Sequence, residues 1–110
     1  MQLDVIQCGD SAELMKQIPD CSIDLTVTSP PYDGLRKYKG FDWDFQKIAQ
    51  ELFRATKEGG VVVWVVNDGT EGGSETGTSF RQALYFKDVA GFRLHDTMIW
   101  RKTNPLPQVR

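Results

Sequence analysis

Ser29, Pro30, Pro31 and Tyr32 carry the most specific chemistry in this chain. They close an apolar-rich run, Ile23, Leu25 and Val27, within the stretch "DLTVTSPPYDG". A proline brings no N–H to a β-ladder, so two in a row cannot extend a sheet. They build a stiff, extended corner instead. Such a corner holds the Pro30 carbonyl and the Ser29 hydroxyl in fixed directions, and both can accept hydrogen bonds from one exocyclic NH2 group. Tyr32 offers a flat face for stacking while its hydroxyl stays wet. Together these groups select a planar, amino-bearing heterocycle such as a nucleobase. The lone pair of an aromatic amine is delocalised into the ring. Two acceptors pulling on its protons favour a pyramidal nitrogen, whose lone pair can attack an electrophilic methyl group directly. The placed dipoles act on the transition state, and positioning supplies much of the rest.

The elements that must hold this corner are legible in the hydrophobic pattern. Residues 3–8 alternate loosely and predict a short strand. Residues 11–18 place Ala12, Leu14, Met15 and Ile18 at helical spacing, with Ser11 as N-cap and Pro19-Asp20 as the stop. Residues 23–28 predict a second strand. Residues 45–56 carry Ile48, Ala49, Leu52, Phe53 and Ala55 on one face, an amphipathic helix that Gly59-Gly60 ends. "VVVWVV", residues 61–66, is a β-branched run with the pattern of a strand buried on both faces. Residues 67–79 contain four glycines and almost nothing apolar, which predicts a long loop. A helix over 80–89 and one or two strands over 92–100 follow, then an extended end.

This alternation predicts an α/β fold with a mostly parallel sheet, flanking helices and right-handed crossovers. Ligands of such sheets sit outside the C-terminal strand ends. Cys8-Gly9-Asp10, Ser29 to Tyr32 and Asn67-Asp68 are expected there, three polar loops at one edge.

The bulk numbers bound the function class. A chain of 110 residues with 40% hydrophobic and 25% charged residues is an ordinary globular domain. No apolar run approaches the ~20 residues of a membrane span, and no secretory signal is visible, so a cytoplasmic protein is expected. Cys8 and Cys21 match no zinc pattern, and with a single histidine, His95, no metal site is expected. A net charge of −2 argues against nucleic-acid binding by bulk electrostatics, but not against a local basic surface. Arg36, Lys37 and Lys39 follow the proline corner, and Arg101, Lys102 and Arg110 lie near the end.

The ordered series of motifs resembles the amino-methylating DNA methyltransferases, the N4-cytosine and N6-adenine class. "DLTVTSPPY" is similar to their catalytic motif. "VIQCGDSAELMKQIPDCSIDLTVTSPPY" has the Gly-Asp, Leu, Pro-Asp and Asp-Leu they place upstream of it. "LFRATKEGGVVVWVVND" resembles their following helix, Gly-Gly turn and strand. "GFRLHDTMIWRKTNPLP" resembles a later hairpin with a Trp-x-Lys-x-Asn-Pro tail. The resemblance covers nearly the whole chain. It implies a partial Rossmann-like, S-adenosylmethionine-dependent methyltransferase fold, spanning residues 1–110 as the catalytic half of a permuted order.

By position, it assigns Ser29, Pro30, Pro31 and Tyr32 to catalysis and Asp10 and Ser29 to the cofactor S-adenosylmethionine, while Arg36, Lys39, Lys102 and Asn104 are read from their charge and polarity as DNA contacts. The family's Gly-rich donor loop and its target-recognition region are expected to be absent, because "DGTEGGSETGTS" lacks the Pro-Phe-x-Gly-x-Gly pattern. The target base must leave the duplex to reach the corner. Ser29 in the first motif position leans slightly toward N4-cytosine over N6-adenine.

Other readings stand beside these. The chain could be a non-catalytic nucleic-acid-binding or assembly fragment, a homodimer, or half of a pair with a complementing chain. Asp10 could cap the helix that starts at Ser11. Asp24 reads as structural, Asn67-Asp68 as a turn, Trp64 and Trp100 as core, and His95 as a surface or strand residue.

Overall fold

In the computed structural model the described residues are 1–31 and 44–103. They form an α/β arrangement: α1 (Ser11–Met15), β1 (Ile23–Thr28), α2 (Phe45–Ala55), β2 (Thr56–Trp64), β3 (Thr70–Glu71), β4 (Ser74–Glu75) and α3 (Thr78–Tyr85). A π-helical turn, Phe86–Ala90, continues α3. β1 and β2 are parallel neighbours, and β3 and β4 form a small antiparallel hairpin.

α2 organises the rest. Asp44 caps it by accepting from the Lys47 amide at 3.2 Å. Its core stripe is Ala49, Leu52 and Ala55, all buried. The two alanines let the helix lie close to its neighbours. Arg54, in the last turn, ties the chain before β1 to this helix. Its Nη1 donates to the Ile18 carbonyl at 2.7 Å and to Asp20 Oδ1 at 2.6 Å. Its Nη2 donates to the Met15 carbonyl at 2.8 Å and to Glu51 Oε2 at 2.7 Å. Asp20 first, and Glu51 next, hold the Arg54 pKa above its usual value. The Cys21 and Ser22 amides donate to the carbonyls of Arg54 and Ala55 at 2.9 and 2.8 Å. The end of α2 therefore starts β1 beside β2, with Ile23 opposite Thr56.

The register then breaks: Leu25 pairs with Val61, and the ladder runs regularly to Thr28 opposite Trp64. The Val65 amide closes it on the Thr28 carbonyl at 2.9 Å. The extra residues before Val61 bulge through Gly59, at φ +83°, and Gly60. A Cβ on Gly60 would sit 2.8 and 2.9 Å from the Lys57 and Ile23 carbonyl oxygens. Only glycine lets the backbones approach this closely.

One face of the sheet is packed. Trp64 meets Phe45 of α2 and Phe86 edge-to-face, with centroids 5.8 and 5.0 Å apart. Phe45 also meets Tyr85 and Phe86 at 5.3 and 5.2 Å, and Phe92 joins Phe86 and Phe53 at 5.6 and 5.2 Å. Gln82 of α3 is buried and accepts from the Trp64 indole N–H at 3.0 Å.

Several sequence expectations are corrected here. Residues 3–8 form no strand: Asp4 has φ +58°, and Leu3, Val5 and Ile6 are exposed, with no ladder to satisfy their amides. Residues 92–100 form none either, and Trp100, read as core, is 82% exposed. A strand needs a neighbour to pair with, and alternation alone does not provide one. α1 ends at Met15, and residues 16–18 finish in tighter i→i−3 turns. The stretch 67–79 is not featureless: it holds the β3–β4 hairpin, with Gly72 and Gly73 both at positive φ. α3 starts at Thr78, two residues early. β2 begins at Thr56, five residues before the expected start, and its regular ladder starts at Val61 as expected. "VVVWVV" is not buried on both faces, since Val61 remains 52% exposed.

Candidate active site

Because β1 and β2 are parallel, their C-terminal ends share one edge. The chain leaves β1 there as Ser29-Pro30-Pro31, next to the chain leaving β2 as Val65 to Asp68. Pro30 is buried, Pro31 half-buried and Ser29 exposed at the rim. The closing bond from Val65 to the Thr28 carbonyl fixes the backbone one residue before the corner. On the other side, Trp64 ends its strand with its indole locked by Gln82. The proline corner is thus seated against a rigid strand pair.

Asp68 lies at the same edge and turns away from it. Its Oδ1 accepts from the Ser79 amide at 2.7 Å, and its Oδ2 from the Ser79 hydroxyl at 2.9 Å. It caps α3, whose N-cap position is Gly77 in the left-handed region. Asn67-Asp68, read as a turn, forms none: Asp68 reaches eleven residues along the chain to Ser79 instead.

The expected third loop does not join this edge on a strand. Asp10 is exposed and caps α1, its Oδ1 accepting from the Glu13 amide at 3.1 Å. Only two of the three loops are carried to the edge by paired strands among the described residues. Lys102 is exposed, with its Nζ 5.9 Å from the Trp100 ring centroid, a cation–π distance. Tyr32, Arg36, Lys37, Lys39, Asn104 and Arg110 lie outside the described residues. Among the described residues no group of three or more His, Cys, Asp or Glu side chains could hold a metal, and no helix is long and apolar enough to cross a membrane.

Sequence reasoning missed Gln82, a buried polar side chain that holds the last residue of β2. The signal was there: a glutamine between apolar positions of α3, with an indole N–H in the facing strand needing an acceptor.

Comparison with known proteins gives the family. Residues 23–110 match the N6/N4 methyltransferase family, described as DNA methylase. The chain belongs to that family. It is 67% identical over 89 residues to the orphan methyltransferase M.BamHII of Bacillus amyloliquefaciens, covering 81% of this chain and 33% of that protein. It is 32% identical over 121 residues to the type II beta methyltransferase M.BslI of Bacillus sp. (strain NEB-606), covering 94% of this chain and 13% of that protein. It is 30% identical over 124 residues to the type II methyltransferase M.MthZI of Methanothermobacter thermautotrophicus, covering 84% and 34%. The chain spans about a third of the length of M.BamHII and M.MthZI, and less of M.BslI. No solved structure matches it.

S-adenosylmethionine, the donor implied by the family resemblance, can be tested against the glycine-rich stretch of this family member. Gly72 and Gly73 are used up in the hairpin turn. The Ser79 amide, which an incoming carboxylate would meet at the start of α3, already holds the Asp68 carboxylate. A second anion beside Asp68 is repelled. This stretch does not fit the methionine end of the donor.

Proposed function

We propose that the chain is the catalytic half of an S-adenosylmethionine-dependent DNA methyltransferase that modifies the exocyclic amine of cytosine (N4) or adenine (N6). The observation that carries this reading is the buried Pro30 corner, held at the C-terminal edge of the only parallel strand pair among the described residues. The donor supplies an electrophilic methyl group. Ser29 and the Pro30 carbonyl accept from the target amino group and raise the availability of its lone pair, and Tyr32 stacks on the ring. The rigid ladder behind the corner keeps the nitrogen in line, and positioning of this kind is where much of the rate arises. No covalent enzyme–base intermediate is needed, so Cys8 and Cys21, both exposed thiols, have no role. Asp10 and Ser29 serve the near end of the donor. Its methionine end is held by a part of the enzyme that this chain does not span. Arg36, Lys39, Lys102 and Asn104 contact the DNA. The surrounding sheet is read as part of a Rossmann-like methyltransferase domain.

The test is a chimera of M.BamHII in which this chain's residues replace the aligned 89-residue segment. It is assayed with labelled S-adenosylmethionine and duplex DNA, followed by nucleoside analysis. The expected product is N4-methylcytosine or N6-methyladenine, lost in Tyr32→Ala and strongly reduced in Pro30→Gly while the fold is kept. Methyl groups on a ring carbon, or full transfer by Tyr32→Ala, would overturn the site assignment.

A further inference from the structure

α3 is turned against its own hydrophobic pattern. Phe80 and Leu84 stand four residues apart on one side of the helix, and they are 67% and 53% exposed. Gln82, between them and so on the opposite side, is 7% exposed. It is the one buried polar side chain among the described residues. Hydrophobic burial alone would roll the helix the other way. A buried amide costs free energy unless it is hydrogen-bonded, and Gln82 Oε1 accepts from the Trp64 indole N–H at 3.0 Å. Local rules are broken in this manner chiefly where function requires it.

The bond holds the exit of β2. Trp64 is the last residue of that strand and stands opposite Thr28. Its ring packs edge-to-face on Phe45 and Phe86, and such contacts tolerate a spread of geometries. An N–H···O bond accepts a much narrower range of distance and angle, so Gln82 adds the orientation that ring packing leaves loose. α3 grips the same stretch a second time. Ser79, three residues before Gln82 and its neighbour on the helix surface, holds Asp68 through its amide at 2.7 Å and its hydroxyl at 2.9 Å. Val65, Val66 and Asn67 are strung between these two ties. The Val65 amide donates to the Thr28 carbonyl at 2.9 Å, one residue before Ser29. Contacts thus run unbroken from α3, through the end of β2, to the backbone that starts the proline corner.

We infer that Gln82 is a positioning residue for methyl transfer: it orients Trp64 and, with the Asp68–Ser79 tie, holds the β2 exit and through it the start of the corner from which Ser29 and Pro30 meet the target amine. The inference rests on the amine-methylating reading above. Gln82 acts through Trp64 rather than on the base. Such remote support matters because a misplacement of about 1 Å at the reacting groups can cost about a hundredfold in rate.

Hydrogen exchange, followed residue by residue by NMR on the 110-residue chain, tests the holding, and the M.BamHII chimera tests its consequence. Gln82→Met keeps the length of the side chain and removes the acceptor, whereas Gln82→Glu keeps an oxygen in its place. The reference is the Cys21 amide, which donates to the Arg54 carbonyl at the other end of the strand pair. Gln82→Met should speed exchange of the Val65 amide about tenfold more than that of Cys21, because the opening is local. Gln82→Glu should leave both close to the parent. Asp68→Ala frees the same span from its other end and should speed Val65 about threefold more than Cys21; it carries the test if circular dichroism shows Gln82→Met unfolded. In the chimera, Gln82→Met should lower kcat about tenfold, with KM for DNA and for S-adenosylmethionine within about twofold, as expected when only the transition state loses an interaction. Gln82→Glu should restore most of that loss. Equal acceleration at Val65 and Cys21 would make Gln82 a residue of general stability and overturn the inference. An unchanged Val65 amide, or an unchanged kcat in folded Gln82→Met, would overturn it as well. Methylation of a ring carbon by the parent chimera would tell against the amine reading, while exchange at Val65 would still decide whether Gln82 holds the corner.

Discussion

The two faces of one small sheet have opposite fates. On the packed face, Trp64 lies in an edge-to-face cluster with Phe45 and Phe86, and its N–H is satisfied by Gln82. On the other face, Leu25, Val27 and Val61 stand in solvent. Nothing in the valines themselves distinguishes the sides. What differs is whether a helix is available: α2 and α3 both lie on the Trp64 side. Burial is a property of the assembly, so the same β-branched run is packed on one side and exposed on the other.

That contrast can be broken or sharpened by substitution in the isolated chain, read by urea denaturation. The largest effect is expected on the packed side. Leu52→Ala should cost about 2–5 kcal/mol, the usual range for a buried leucine, and a loss below about 1 kcal/mol would mean that α2 is not a close-packed core helix. Gly60→Ala follows. Its Cβ would press on two backbone carbonyls that have no rotamer to yield, so about 1–3 kcal/mol is expected, in the range of other overpacking changes. Gln82→Ala strands the Trp64 indole N–H, and a loss of about 1–3 kcal/mol should appear, with a shift in tryptophan fluorescence. Asp68→Ala removes the cap of α3 and should cost about 1 kcal/mol. The smallest effect is expected on the bare face. Val27→Thr should stay within about 0.5 kcal/mol, and a large loss there would show that this face is already covered.

How much of this was legible beforehand varies with how local the cause is. α2 was placed almost to the residue, because its apolar stripe is written within a few helical turns. β1 and the ladder of β2 from Val61 were placed as well, and so was the shared C-terminal edge of these two parallel strands. The strands expected over residues 3–8 and 92–100 failed for one shared reason. Alternation describes a segment that is able to pair, and no partner strand stands beside either of them among the described residues. Trp100 was misjudged on the same ground. An indole is buried only where other elements converge on it. The hairpin within residues 67–79 was missed because the eye counts glycines as loop, whereas adjacent glycines at positive φ also make the tightest strand turn.

By itself the sequence determined the family and the α/β character of the chain, and it raised the expectation of a stiff proline corner. These follow from short-range facts: two prolines that cannot pair, a hydroxyl and a carbonyl in fixed directions, and apolar residues at periods that match a helix or a strand. The tertiary structure alone decided that Pro30 is buried, that Asp68 spends its carboxylate on α3, and that Arg54 ties the entry of β1 to the end of α2. It alone decided which face of the sheet is covered. Those outcomes depend on which distant segments meet, and a local pattern encodes only the capacity to meet them.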